Sequence, residues 1–292
     1  MTFLQAILMG ILQGFLEFLP VSSSGHIILL EYVSGVTIGR GLLFETLIHI
    51  GTLAAVIFLF QKELKQLVLD GIRILLDIVD NAKIWYLNKR MPEKEQRYKK
   101  LFQSNYRRLF LLLLISTAVT SAVGLLMRGF SVKAAGSPLA PGIGFFITGV
   151  VLLVSDRIKT GSRIPKDVTL WQAAVIGAFQ GAAVFPGISR MGITIGICLL
   201  LGLNRKFSVI YSFLLSVPTI AGAVIIGLIS ANGTDFSGML ILEYLLGIAA
   251  AAVTGFLCIR FMQRILLKKR LKGFAYYCFL IGIAAIISYF AV

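Results

Sequence analysis

The stretch LQGFLEFLPVSSSGH, residues 12–26, decides the fold, because it interrupts an apolar segment with proline, serines and ionisable groups. Pro20 ends any helix that precedes it, and three serines and a glycine follow before His26. A helix broken in this way leaves backbone groups unpaired, which hydrocarbon does not tolerate unless protein or a water-filled cavity covers them. The stretch therefore predicts two short helices that meet inside the protein, with Glu17 and His26 close to the break.

The rest of the chain places this break in a membrane. Of the 292 residues, 58% are hydrophobic and only 14% are charged, and the mean hydropathy is +0.90. Soluble domains of this length have a far more polar composition. The opening MTFLQAILMG lacks the basic region and small-residue cleavage site of a secretory signal, so it is expected to stay in the mature fold. The sequence predicts an all-α integral membrane protein.

The net charge of +15 is concentrated beside the apolar runs. Basic residues gather in 62–108, 157–166 and 260–272, and each of these segments borders a long apolar run. Cytoplasmic loops of membrane proteins carry such an excess of Lys and Arg, which also attracts anionic lipid headgroups. The positive charge therefore predicts that these three segments lie in the cytoplasm beside the lipid bilayer. It does not indicate a nucleic-acid partner.

Six apolar runs are long enough to cross a bilayer as helices, which takes about 20 residues each. They lie at about 42–60, 107–127, 141–156, 207–229, 243–260 and 274–292. With the basic loops in the cytoplasm, an even number of crossings places both termini outside. Two further apolar segments, about 1–35 and 168–204, are each predicted to be a re-entrant helix pair. The charge pattern makes the first pair enter from outside and the second from the cytoplasm.

The two broken segments resemble each other. GILQGFLEFLPVSSSG begins at Gly10 and GAFQGAAVFPGISRMG at Gly177, and each has a proline three residues before a serine, Ser23 or Ser189. Entry from opposite sides together with internal similarity indicates interdigitated inverted repeats with a site near mid-membrane. The alternative is a chance match of two Gly- and Pro-rich stretches. We expect a single polytopic domain over residues 1–292, with repeat 1 at about 1–127, repeat 2 at about 141–260 and a final helix at 274–292.

The one large extramembrane segment is predicted at 61–106, a basic cytoplasmic connector. Carboxylates and lysines recur at helical spacing through LKQLVLDGIRILLDIVDNAKIWYL, and the polar stretch NKRMPEKEQRYKK follows. This pattern predicts an amphipathic interfacial helix and then a solvated turn. A regulatory or partner-binding role is the alternative.

The first break carries candidate acid–base groups. Glu17 follows Gln13 by four residues, so both side chains share one helix face, and the serines lead into a second helix that is expected to begin near His26. A helix that starts inside the membrane directs free N–H groups and the positive end of its dipole at whatever precedes it. This arrangement favours an anion such as phosphate.

The second break adds a cation. PGISRMGIT places Arg190 beside Ser189, with Thr194 one turn further along. A guanidinium stays charged at any membrane depth and binds two phosphate oxygens at once, so Arg190 needs an anionic partner. That partner is a substrate phosphate or, in the alternative, Glu17, in which case the pair only pins the two repeats together.

The two histidines of the chain also have structural explanations. For His26 the alternative to catalysis is a hydrogen bond to the turn serines. His49 follows Glu45 by four residues within an apolar helix, and a buried hydrogen bond is expected for it rather than a direct catalytic task.

Hydroxyl, imidazole, carboxylate and guanidinium together suit attack on phosphorus, with a serine or histidine nucleophile, an acid–base partner and positive charge to stabilise the oxygens. The sequence contains no Walker-type P-loop, Rossmann glycine motif or His-Glu-x-x-His motif. Nucleotide-driven chemistry is therefore not expected.

Four stretches carry a resemblance to a known family. QGFLEFLPVSSSGH, FETLIHIGTLAAVIFLF, FPGISRMGIT and YSFLLSVPTIAGA resemble, in that order and through essentially the whole chain, the undecaprenyl-diphosphate phosphatases of bacteria, also called the bacitracin-resistance family. Two motifs are specific: Glu or Gln, three residues and Glu ahead of Pro-Val-Ser-Ser, and Pro-Gly-x-Ser-Arg-Ser-x-x-Thr. The resemblance implies hydrolysis of undecaprenyl diphosphate to its monophosphate, which recycles the lipid carrier of cell-envelope and peptidoglycan synthesis and gives bacitracin resistance.

The resemblance also implies roles for individual residues. Ser23 is the preferred nucleophile, His26 the base or the acid for the leaving group, and Arg190 binds the phosphates; the reverse assignment, with His26 attacking, stays open. Glu17 orients His26 or holds a metal. The residues that match substrate-binding positions are Gln13, Ser22, Ser24, Ser189 and Thr194.

A divalent cation, Mg or Ca, is implied by the same resemblance, with Glu17 and Gln13 as its ligands. The family further implies a multi-pass protein of the bacterial plasma membrane whose active site faces the outer side. Two positions depart from the usual pattern. Met191 stands where the second motif has serine, and the neutral Gln13 binds a cation less strongly than a carboxylate would.

Two other classes of function compete with the enzyme. A transporter would flip the polyprenyl monophosphate without hydrolysing it, because many secondary carriers build an anion site from inverted repeats and broken helices. A binding protein would merely sequester the lipid. The set Glu17, Ser23 and His26 favours the enzyme, since a passive anion site needs little acid–base machinery. A homodimer is left open by the sequence.

Overall fold

The computed structural model describes residues 2–34, 42–159, 161–230, 238–268 and 271–291. This part of the chain is helical, with two single 3-10 turns and one isolated bridge between Arg163 and Leu203. The α-helices of these residues are α1 (Phe3–Phe18), α2 (Ser23–Ser34), α3 (Leu42–Leu59), α4 (Gln61–Arg90), α5 (Asn105–Ala134), α6 (Leu139–Arg157), α7 (Leu170–Ala182), α8 (Arg190–Leu200), α9 (Arg205–Ser230), α10 (Gly238–Leu267) and α11 (Lys272–Ala291).

The predicted all-α membrane protein is confirmed. Among the described residues, α5, α6, α9, α10 and α11 are each long and apolar enough to cross a bilayer. A sixth span results if α3 and α4 count as one bent helix, but α4 turns away from α3 by 82°. An interfacial helix after a spanning α3 fits this bend, since α4 exposes Leu75, Leu76 and Trp85 beside its charged residues. The sides of the membrane on which the loops lie stay a prediction.

Each broken segment begins with a helix that packs closely, through two glycines, on a span from the other half of the chain. Helix α1 places Gly10 and Gly14 against α10, and α7 places Gly177 and Gly181 against α5. A Cβ atom at any of these four positions would collide with the facing helix. Small residues four apart allow this close approach of two membrane helices. The two halves therefore interdigitate.

The second break, residues 183–189 between α7 and α8, rests on α6. Gly187 has a φ of +83°, and a Cβ there would collide with the carbonyl oxygen of Pro141. The hydroxyl oxygen of Thr148 accepts a hydrogen bond from the backbone N–H of Ser189 at 2.9 Å and lies 3.1 Å from the carbonyl oxygen of Gly187. These contacts fix where α8 begins.

The two breaks have the same register. Ser22, just before α2, accepts a hydrogen bond from the N–H of Gly25 at 3.3 Å, and Ser189, just before α8, accepts one from the N–H of Gly192 at 3.1 Å. Each serine lies nine residues after a glutamine of the preceding helix, Gln13 or Gln180. The halves thus align without a gap at an offset of 167 residues.

This register corrects two sequence expectations. Helix α2 begins at Ser23, three residues before His26, because Ser22 rather than a later residue caps it. The counterpart of Ser189 is therefore Ser22, and the counterpart of Arg190 is Ser23. An alignment on Pro20 and Pro186 instead pairs Ser189 with Ser23, one residue away from the observed register.

Candidate active site

A cavity of about 490 Å³ lies between the two breaks, and we call it the break cavity. Seven of the nine predicted site residues line it, which are Gln13, Glu17, Ser22, Ser23, Ser24, Ser189 and Arg190. His26 and Thr194 are not among its lining residues. Glu31, Glu45 and His49 contribute further ionisable side chains to its wall.

Glu17 is the centre of the polar contacts in this cavity. Its carboxylate is 7% exposed, and Oε2 accepts hydrogen bonds from Gln13 Nε2 at 3.0 Å and from Ser23 Oγ at 3.2 Å. The other oxygen, Oε1, lies 3.6 Å from Arg190 Nη1. The two donors and the guanidinium offset the cost of burying this carboxylate and leave it beside a hydroxyl. Ser23 and Glu17 thus place a hydroxyl within hydrogen-bond distance of a carboxylate.

His49 also lines the break cavity, although the sequence predicted only a structural hydrogen bond for it. Its Nδ1 lies 2.6 Å from the carbonyl oxygen of Glu45, so Nδ1 carries the hydrogen and Nε2 accepts from Gln13 Nε2 at 3.1 Å. The expected buried hydrogen bond is present, but the second ring nitrogen faces Glu17 at 3.8 Å. Two ionisable residues one turn apart inside the apolar α3 were the available signal, since such residues mark functional sites in membranes.

His26 faces away from Glu17. Its Nδ1 donates to the carbonyl oxygen of Ser22 at 2.6 Å, and its Nε2 is 2.8 Å from the hydroxyl of Tyr277. The ring stacks on Tyr277 and meets the edge of Phe145. The predicted contact between Glu17 and His26 is absent among the contacts of the described residues, and Glu17 holds Ser23 instead. His26 makes the alternative contact, a hydrogen bond to a turn serine.

Ser22 has an unusual backbone conformation at the first break. Its φ is +67°, a left-handed value that serine adopts at a cost of about 1–3 kcal/mol. The hydrogen bond from His26 to the carbonyl of Ser22 and the capping bond from Gly25 hold this conformation. The turn directs Ser23, the next residue, at Glu17. His26 therefore positions Ser23 through the backbone of Ser22.

The second break presents Arg190 at the start of α8. Its side chain is 30% exposed, and Nη1 is buried without a hydrogen-bond partner among the described residues. Thr194, one turn later, is fully buried, 2.8 Å from the carbonyl oxygen of Arg190 and 3.0 Å from Oε1 of Gln180. Met191 is also buried, and its sulfur accepts a hydrogen bond from Ser212 at 3.1 Å. Arg190 is thus available to an anion in the break cavity.

A second, mostly apolar cavity of about 390 Å³ adjoins the first between α3, α5 and α9, and we call it the apolar cavity. His49, Glu45 and Arg190 line both cavities. Leu125 and Ile226 are among the apolar side chains of its wall. A polar end beside an apolar channel suits an amphiphile with a charged head.

The donor set fits a divalent cation only if the substrate supplies further ligands. The described residues contain no cluster of three or more His, Cys, Asp or Glu side chains arranged for a metal ion. Glu17 is a single carboxylate, and the amide of Gln13 directs its NH₂ at it. Magnesium is commonly held by one or two carboxylates together with substrate phosphates, and this arrangement fits Glu17.

A buried carboxylate, a hydroxyl and a guanidinium meet here at two helix breaks, which defines a polytopic membrane protein with an intramembrane site for an anionic group. The chain belongs to the family described as Bacitracin resistance protein BacA, which matches residues 6–284. The family expected from the motifs is thereby confirmed.

Three relatives named undecaprenyl-diphosphatase match nearly the whole chain. The chain is 36% identical over 285 residues to the undecaprenyl-diphosphatase of Methanosphaera stadtmanae, with 97% of each protein covered. It is 36% identical over 280 residues to that of Korarchaeum cryptofilum, covering 96% of this chain and 97% of the relative. The undecaprenyl-diphosphatase of Alkaliphilus metalliredigens is 32% identical over 282 residues, with 97% of each covered.

Proposed function

We propose that this protein hydrolyses undecaprenyl diphosphate to undecaprenyl phosphate and inorganic phosphate. The main structural support is the arrangement around Glu17. The hydroxyl of Ser23 donates to its carboxylate at 3.2 Å, and Arg190 lies 3.6 Å from the same carboxylate. A hydroxyl, a carboxylate and a guanidinium therefore meet in one cavity, which supports their proposed roles as nucleophile, base and phosphate-binding cation. The names of the relatives support the same activity.

The proposed reaction gives each step to a residue of the break cavity. Arg190 and the free N–H groups at the start of α2 and α8 hold the diphosphate. Glu17 accepts the proton of Ser23 as its oxygen attacks the terminal phosphorus, and the bond from that phosphorus to the bridging oxygen breaks. Undecaprenyl phosphate leaves with the bridging oxygen, which takes the proton from Glu17. Glu17 then deprotonates a water molecule that attacks the phosphoserine; the bond from phosphorus to the Ser23 oxygen breaks, that oxygen regains a proton from Glu17, and phosphate leaves.

His26 is less suited than Ser23 to be the nucleophile in this arrangement. Its Nδ1 is occupied by the carbonyl of Ser22 and its Nε2 by the hydroxyl of Tyr277. Attack by His26 would require loss of the Tyr277 contact and rotation of the ring. The proposal therefore gives His26 a positioning role.

The lipid tail is proposed to enter the apolar cavity, with the remainder of the chain in the bilayer. The site would open to the outer side of a bacterial plasma membrane, and both termini would lie outside; this follows from the positive charge of the connector between α3 and α5. The diphosphate would then be reached from the outer leaflet. A divalent cation, Mg or Ca, would be held by Glu17 and the diphosphate together and would neutralise phosphate charge.

Purified full-length protein in detergent, given undecaprenyl diphosphate, tests the activity by release of inorganic phosphate. Wild type is expected to release phosphate, and Glu17→Gln is expected to release almost none while it keeps the thermal stability of a folded protein. Lipid binding without phosphate release in the wild type would reject the enzyme and favour the flippase. Adding a chelator and then Mg or Ca tests the cation in the same assay.

A further inference from the structure

Gln180, on α7 at the second break, has one end of its amide without a partner. The residue is 2% exposed, and its Oε1 lies 3.0 Å from the hydroxyl of Thr194. Its Nε2 is buried and has no hydrogen-bond partner among the described residues. Gln180 lines the apolar cavity together with Arg190, whose Nη1 is likewise buried and without a hydrogen-bond partner there. Two residues that line one cavity therefore each have a buried donor without an acceptor among the described residues.

The aligned halves explain why this amide is unpaired. In the first half, the Nε2 of Gln13 donates to Glu17 and to His49. At the offset of 167 residues, the counterparts of Glu17 and His49 are Val184 and Ser216. Valine offers no acceptor. The Ser216 hydroxyl is short and donates to the carbonyl of Phe213 at 2.7 Å. The second half has therefore kept the glutamine without the acceptors.

A buried amide NH₂ without a partner costs free energy, and such groups in native structures call for an explanation. We propose that Gln180 is a phosphate-binding residue, whose Nε2 donates to a phosphate oxygen beside Arg190 while Thr194 fixes the orientation of the amide. This inference rests on the proposed function, because it names a donor for the diphosphate of that site. A neutral NH₂ beside a guanidinium would bind an oxygen that Arg190 alone leaves unsatisfied.

The opposite amide orientation makes a different prediction. The hydroxyl of Thr194 also lies 2.8 Å from the carbonyl of Arg190, and its one hydrogen serves a single acceptor at a time. With the amide reversed, Oε1 of Gln180 would face the guanidinium and offer phosphate no donor. Removing the amide would then leave substrate affinity unchanged or improve it. In the proposed orientation, removal weakens the affinity.

The test uses full-length protein in detergent and two readouts. Gln180→Met, which keeps the size and removes both polar atoms, is expected to weaken calorimetric binding of inorganic pyrophosphate by about 10-fold and to raise KM for polyprenyl diphosphate similarly. Thr194→Val, which frees the amide to rotate, is expected to shift both in the same direction by less. Gln172→Met on the same α7 is the matched control, because Gln172 caps the far end of that helix.

Two outcomes overturn the inference. If Gln180→Met binds pyrophosphate as wild type does and keeps its KM, the amide does not meet phosphate. If the variant loses only thermal stability, Gln180 is a packing residue or holds a buried water. Failure of the proposed hydrolysis is distinguishable, since wild type would then bind pyrophosphate and release no phosphate from the lipid, while Gln180→Met still reports on the donor.

Discussion

In the first break the residue after the capping serine is Ser23, and in the second it is Arg190. Both occupy the first position of a short helix, and both side chains approach Glu17. One half of the molecule thus supplies the hydroxyl and the carboxylate, and the other supplies the guanidinium. The difference teaches that equivalent backbone positions carry different chemistry, a neutral hydroxyl at Ser23 and a cation at Arg190. Neither break is a complete site without the other.

A second difference lies one turn further back, on the helices that lead into the breaks. The amide of Gln13 bonds to Glu17 and His49, whereas the aligned Gln180 has Val184 in place of the carboxylate, and its NH₂ has no partner among the described residues. The first half is therefore satisfied internally and rich in acceptors. The second half is rich in donors, as an anion site requires.

Glu17→Gln should have the largest effect, because it removes the acceptor on which both breaks converge. The amide keeps the size of the side chain but cannot take the proton of Ser23. We expect kcat for phosphate release to fall by about 10³-fold. The rate at saturating polyprenyl diphosphate measures this. A kcat close to wild type would remove the distinction between a catalytic first break and a binding second break.

A stability cycle separates this role from a mere ion pair between Glu17 and Arg190. If the ion pair only held the two halves together, each single variant would lower the melting temperature, and the double variant Glu17→Gln with Arg190→Gln would restore it. Activity would then rise and fall with the melting temperature. We expect activity to stay low in the double variant even where its melting temperature recovers.

Arg190→Lys should have the next largest effect, and on binding first. Lysine keeps the charge but loses the planar pair of donors that grips two phosphate oxygens. We expect KM to rise by about 10- to 100-fold with a smaller loss of kcat. A variant that loses kcat at unchanged KM would instead place Arg190 on the transition state alone.

His26→Ala sharpens the comparison within the first break. Loss of the hydrogen bond to the carbonyl of Ser22 frees a strained turn, so we expect kcat to fall by about 10-fold, well short of Glu17→Gln. Tyr277→Phe, which removes the hydroxyl at Nε2, should cost about 3-fold or less. A loss in His26→Ala as deep as in Glu17→Gln, with Tyr277→Phe silent, would show that His26 transfers a proton itself.

The positions of the breaks and spans could be predicted from sequence, because proline and the thickness of a bilayer act locally. Seven of the polar residues that line the break cavity followed from the same breaks, whereas Glu31, Glu45 and His49 did not. The directions of the two histidines could not be predicted. His26 is turned by Tyr277, 251 residues away, and His49 by the rotation of α3 against α1. The exact cap was missed because three consecutive serines offer equal local choices, and the packed backbone selects Ser22.

Met191→Ser tests whether the second break lacks a hydroxyl that it needs. The Met191 side chain is buried, accepts from Ser212 and is not among the residues that line the break cavity. We expect a serine there to lower the free energy of unfolding by about 2–3 kcal/mol and to change kcat by less than about 3-fold. Thermal unfolding and phosphate release measure the two effects. A gain of tenfold in rate would show that the hydroxyl reaches the phosphate.

The first half also inserts α4 and residues 91–104 between α3 and α5. Two ion pairs hold the segment after α4 and the start of α5 against α4. Lys99 donates to Asp80 at 2.7 Å, and Arg107 donates to Asp77 at 2.7 Å. The backbone of Lys99 is also bonded in both directions to the side chain of Asn81. The hydrogen bond from Arg107 lowers the pKa of Asp77, and the hydrogen bond from Lys99 lowers the pKa of Asp80.

Acid should therefore loosen this segment, the smallest effect predicted here. A carboxylate whose pKa is lowered on folding stabilises the fold above its ordinary pKa of about 4, and the stabilisation is lost as pH falls through the lowered value. Amide hydrogen exchange of residues 95–104, corrected for the intrinsic pH dependence, should be steady between pH 7 and 5 and rise toward pH 3. Asp80→Asn should flatten part of that rise. If exchange rises equally in the two breaks, acid acts on the whole fold and the connector is not a separate unit.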